Sequence, residues 1–96
     1  MGLETKSTKA IVTVLGKDQV GIIAGVTQVL AECGVNILDI SQTIMQDFFT
    51  MIMVTDLSGA TMDLATVSQK LQDRGESLGV QVHIQHEDAF NFMHRI

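Results

Sequence analysis

A chain of 96 residues has room for one domain, and its six basic and eleven acidic residues leave a net charge of −5. An acidic surface argues against nucleic acid or an anionic membrane as the main partner. At 46 % hydrophobic and 18 % charged, with no Pro and a single Cys, the composition is that of a folded globule without an intrachain disulfide, and no apolar run is long enough to span a membrane.

Residues 1–8 are polar and hold no apolar signal core, so they are expected to be a disordered leader to one domain over residues 9–96, located in the cytoplasm. Lys9 to Leu15 (KAIVTVL) is rich in β-branched residues and stops at Gly16, which predicts a strand. The segment Gly16–Gly21 (GKDQVG) reads as a turn between two glycines. From Gly21 the period changes. Ile22, Val26, Val29 or Leu30, and Cys33 recur at helical steps, and Gly34 suits the left-handed position that closes a helix.

Asn36 to Met45 (NILDISQTIM) predicts a second strand, with Leu38, Ile40 and Ile44 on one face. Gln46-Asp47 then makes a tight turn into a third strand, Phe48 to Thr55. Thr61 is placed to cap a second helix, with Asp63 in its first turn and Leu64, Val67, Leu71 and Leu78 along its buried stripe. Gly75 and Gly79 punctuate that helix's end. Val80, Val82 and Ile84 alternate with Gln81, His83 and Gln85 in a half-buried fourth strand, and residues 87–96 form a short helical tail.

The order β-α-β-β-α-β predicts an α+β, ferredoxin-like sandwich: a four-stranded antiparallel sheet with two helices on one face. The third strand is apolar on both sides, with Phe48, Ile52 and Val54 on one and Phe49, Met51 and Met53 on the other. Helices cover one of these faces. The tail and a second copy of the chain are expected to cover the other, which predicts a homodimer.

Chemistry is expected at the first strand-helix junction. The amides of Val20, Gly21 and Ile22 at a helix start can hold a carboxylate or phosphate, and Gly21 lets a ligand approach the backbone. Asp18 is the acid of this loop. It has two readings, an acceptor for an ammonium group or an N-cap satisfying the same amides. Asn36 either bonds a ligand or serves the turn before it, and Gln42, an even step away, is expected to share its sheet face. No phosphate-loop or dinucleotide fingerprint is present.

His83 and His86 fall on opposite faces of a strand, and with His94 they read as ordinary surface groups and not as a metal site. Cys33 reads as a small buried residue and the six Met as core gap-fillers. No catalytic set has motif-grade spacing, so neither an enzyme nor a cofactor is expected.

The loop GKDQVG (Gly16–Gly21), the apolar helix after it and GVNI (Gly34–Ile37) resemble the ACT domain, over nearly the whole of residues 9–86. DISQTIMQDFFTM and the ending AFNFMHRI resemble a family of small free-standing ACT proteins of unassigned role. The resemblance implies a non-catalytic regulatory module that binds a free amino acid at a subunit interface and acts allosterically on a partner enzyme or regulator. It implies ligand contacts from Asp18, Gln19, Val20, Gly21 and Ile22, from Asn36 with Ile37 following, and from Gln42 as in aspartate-kinase-like members. Val20 stands where many metabolic members have Pro. The alternative is a protein–protein interaction module of the same fold with no ligand.

Overall fold

Six elements follow one another in the computed structural model, which describes residues 8–17 and 20–88. They are β1 (Lys9–Lys17), α1 (Ile22–Glu32), β2 (Asn36–Met45), β3 (Phe48–Asp56), α2 (Leu64–Leu78) and β4 (Val80–His86). The strands form one antiparallel sheet in the order β2-β3-β1-β4. This is the expected ferredoxin-like arrangement, with both helices on one face.

Alternation decides which side chains face the helices. Ala10, Val12 and Val14 of β1, Phe49, Met51 and Met53 of β3, and Val80, Val82 and Ile84 of β4 are buried in one cluster with Ile22, Val26, Val29 and Leu30 of α1 and Val67 and Leu71 of α2. Thr55 is the buried polar residue of this face, and its Oγ1 donates to the Ala10 carbonyl at 2.8 Å. Cys33 is buried and free, its Sγ donating to Met62 Sδ at 3.7 Å, as its packing reading expects. Met51 and Met53 fill the core, whereas Met45 is exposed.

Four local readings are corrected. Gly16 does not end β1. It is a strand residue paired with Phe49 and Val80, where a Cβ would lie 2.7 Å from Val80 Cγ1. Thr61 does not cap α2. Asp63 does, its Oδ1 accepting from the Thr66 N–H at 2.9 Å, while Thr61 donates its N–H and Oγ1–H to the Cys33 carbonyl. Gly75 does not terminate α2 either. It is buried within the helix, where a Cβ would sit 2.8 Å from the Val80 carbonyl oxygen, and Gly79 at φ 77° makes the stop. The fourth correction is a β-bulge between Ile37 and Asp39, which adds Leu38 to β2 without a partner on β3. Asn36 faces Asp56 and Gln42 faces Met51, so the two lie on opposite sides of the sheet, not on one.

At the N-terminal edge Thr8 donates its Oγ1–H to Asp56 Oδ1 at 2.9 Å and accepts the Leu57 N–H at 2.8 Å. Residues 1–7 of the expected leader lie outside the described residues. So does most of the expected tail helix, of which Glu87 and Asp88 are helical.

Two exposed acids couple the fold to pH. The Ser58 N–H and then the Thr8 hydroxyl hold the Asp56 carboxyl below its ordinary value, and the Thr66 bond does the same for Asp63. A lowered folded pKa means that this stabilisation is present above 3.8, the ordinary value, and is lost as pH falls through the lower folded values. Melting temperature is therefore expected to fall on acidification in that range. Asp63→Asn keeps a good cap that cannot titrate, and should flatten part of the acid limb in a series of melts against pH.

Candidate functional site

The approach to α1 builds the site. Gly21 is the N-cap residue at φ 94°, a conformation that glycine adopts readily, and an added Cβ there would meet nothing within 4 Å. Gly21 has no side chain to bond the first-turn amides, and that turn holds no acid. Such amides have no intrahelical acceptor and carry the positive end of the helix dipole.

The opposite wall comes from β2. This strand is the sheet edge, and it is exposed along its whole length apart from half-buried Ile37. The helix layer stops short of it, so Ile40 and Ile44 on its helix side stay 43 % and 53 % exposed. Between helix and edge lies a shallow groove of about 260 Å³, lined by Gly21, Ile22, Ile23, Ala24, Gln42, Ile44 and Phe49. The groove continues past Ala24 into a wider one of about 520 Å³, whose lining includes Thr27, Gln28, Val35, Asn36 and Ile37.

The candidate residues therefore divide. Gly21, Ile22 and Gln42 meet in the first groove, and Asn36 and Ile37 line the second. The six residue steps from Asn36 to Gln42 span about 20 Å of extended strand, so the two cannot grip one small molecule within a chain. Val20 is almost fully exposed beside Gly21. Asp18 and Gln19 lie outside the described residues, so both readings of Asp18 stand as expectations. Ile23, Ala24, Ile44 and Phe49 complete the lining. Their spacing is that of packing residues and carries no ligand signal.

Of the histidines, His83 pairs with Thr13 and His86 with Ala10, hence on opposite faces as expected. His94 lies outside the described residues. Among the described residues no three His, Cys, Asp or Glu side chains converge to hold a metal ion. No helix among them is long and apolar enough to cross a membrane. What the groove offers is first-turn amides that Gly21 has no side chain to cap, an amide side chain on the facing strand and an apolar floor.

Residues 8–85 match a family model described as an ACT domain. A UPF0237 protein of Methanocaldococcus jannaschii is 55 % identical over 89 residues, which cover 93 % of this chain and 99 % of that protein. An ACT domain protein from Streptococcus pneumoniae superposes with a TM-score of 0.76 at 41 % identity, covering 88 % of this chain and 96 % of that one. The regulatory subunit of aspartate kinase from Thermus thermophilus has the same fold, with a TM-score of 0.63 at 21 % identity over 83 % of this chain and 52 % of that one.

Proposed function

We propose that this chain, which belongs to the ACT-domain family, is a homodimeric sensor of a free amino acid that modulates a partner enzyme or regulator in the cytoplasm. ACT domains are typically regulatory ligand-binding modules, and no catalytic function is indicated for this one. The observation that carries the reading is the groove in which the start of α1, with glycine as its N-cap residue, faces Gln42 across the edge of β2. The amides of Val20, Gly21 and Ile22 take the α-carboxylate, Asp18 takes the α-ammonium, and Gln42 and the apolar floor select the side chain.

The separation of Asn36 from Gln42 gives the dimer its role. A two-fold axis that sets two β2 edges antiparallel carries the partner's Ile37, on the helix side of the sheet as Gln42 is, towards the Gln42 end of the first protomer, with Asn36 next to it on the other face. One zwitterion then touches both chains, and it favours the paired arrangement by binding it better than the separated one.

A thermal-shift panel of the common amino acids at millimolar concentration tests the reading. At a hundred times Kd a ligand stabilises by about 2.7 kcal/mol, roughly 10–20 °C in Tm for a domain of this size. One chemically related set of amino acids is expected to respond. A flat panel would overturn the sensor and leave the ligand-free interaction module, which the exposed apolar residues Ile23, Ile40 and Ile44 also suit.

A further inference from the structure

The two edges of the sheet are unlike. β2 carries a bulge between Ile37 and Asp39, a device that disrupts pairing along an exposed edge. β4, the opposite edge, has no such guard. Its register against β1 runs without a shift from Val80 opposite Gly16 to His86 opposite Ala10. Its sequence, VQVHIQH, holds no Pro, Lys, Arg, Asp or Glu. Among the described residues β1 is its one strand neighbour. Alternate residues of an edge strand turn N–H and C=O away from the sheet, so β4 offers a regular, uncharged edge of seven residues for pairing.

α2 gives this edge a roof. Gly75 lets the helix lie so close to β4 that a Cβ there would be 2.8 Å from both the Val80 carbonyl oxygen and Val82 Cγ2. Beside this contact runs an open groove of about 480 Å³, lined by Gln72, Glu76, Val80, Gln81, Val82 and His83. Val80 and Val82 point to the helix side, while Gln81 and His83 are exposed on the other. Glu76 is the acid of the lining, and its carboxylate has no partner among the described residues. A strand added here lies about 5 Å outside β4. Its helix-side positions fall beside Val80 and Val82 and under Gln72 and Glu76, and the positions between them fall beside Gln81 and His83. A long basic side chain suits the first set, with its methylene stem along the valines and its cation at Glu76. A β-branched polar residue suits the second.

We propose that β4 is a docking edge for an extended basic segment of a partner protein, which joins the sheet as a fifth strand and sets a Lys or Arg against Glu76. The occupant is not a second copy pairing edge to edge, because β4 has no Lys or Arg to bring to that carboxylate. The inference goes beyond the sensor reading and stands without it, since the groove between α1 and β2 lies at the opposite edge of the sheet.

Two fluorescein-labelled heptapeptides test this on the full-length protein, one alternating threonine with lysine and the other threonine with glutamate. Fluorescence anisotropy at low salt is expected to show the lysine peptide binding roughly tenfold tighter. Glu76→Lys is expected to erase that preference. The variant is still net acidic, so a preference due to bulk charge would persist in it. In NMR spectra the lysine peptide should shift the amides of residues 80–86, slow their hydrogen exchange and leave β2 unmoved. Failure of both peptides to bind overturns the proposal, as do equal binding of the two, a lysine preference that survives Glu76→Lys, and shifts centred on β2. Protection of the β4 amides that rises with protein concentration in the absence of peptide also overturns it, in favour of a second copy. Should the variant fail to fold, the wild-type shifts and amide protection still decide.

Discussion

Gly34→Ala is expected to lower the melting temperature by roughly 10–30 °C, among the largest effects of any single methyl group added to this chain. Two costs coincide at this position. Gly34 sits at φ 74°, where an L-residue pays about 1–2 kcal/mol for its Cβ. The added Cβ would also lie 2.7 Å from the Gly59 carbonyl oxygen, 3.4 Å from the Thr61 nitrogen and 3.5 Å from Ala60 Cα. Those neighbours are backbone, so no rotamer change relieves the overlap. Relief needs the loop at residues 59–61 to move, yet that loop is tied down by the Thr61 N–H bond to the Cys33 carbonyl at 2.9 Å. Overpacking of this kind costs about 1–3 kcal/mol more.

Gly21→Ala separates the two costs. Gly21 has φ 94° but an open surrounding, so its variant carries the conformational cost without the clash. Denaturant titration of both variants should show Gly34→Ala as the less stable by the overpacking cost. Equal losses would mean that the 59–61 loop yields freely, and the close packing of the α1 exit against it would then count for little.

Gly34 shows how much of this fold its residue types announce. A glycine straight after a helical period predicts a left-handed stop, and one stands there. The same holds for the alternation of Val80, Val82 and Ile84, whose burial is set by a period of two that a sequence displays directly. Gly16 and Gly75 defeat the same reasoning. Each is a glycine because a neighbouring strand comes too close for a Cβ, and that closeness exists only after the layers have packed. Leu38 is a further case, since nothing in NILDIS marks a bulge, yet the one extra residue reverses the facing of everything after it. Asn36 and Gln42 look like companions by spacing and are placed on opposite faces. The site divides along the same line. The helix start at Gly21 and Ile22 was legible from composition and period. Its meeting with Gln42 depends on β2 taking the sheet edge beyond the reach of α1, which is a property of the whole topology.

In the proposed homodimer, Ile44→Asp is expected to raise the dissociation constant at least about 100-fold and to leave the folded protomer intact. Ile44 is 53 % exposed and faces the helix side of β2 beside Ile23 and Gln42. At so exposed a position the substitution changes protomer stability by about 0.5 kcal/mol or less. In a two-fold interface the same carboxylate is buried twice, each time without a partner. A penalty of about 1.4 kcal/mol at each copy already multiplies to about 100-fold. Thr43→Asp is the matched control, because it places the same charge one residue away on the opposite face, opposite Thr50. Sedimentation equilibrium over a range of concentrations measures both. If Thr43→Asp dissociates the dimer and Ile44→Asp does not, the protomers meet through the open sheet face and the groove reading of the interface is wrong. The amino-acid panel repeated on Ile44→Asp then locates the ligand. Asn36 lies about 20 Å of strand from Gln42, so a site shared between protomers must lose its response together with the dimer. A monomeric Ile44→Asp that still responds at the wild-type concentration would place the whole receptor within one chain, between the start of α1 and Gln42.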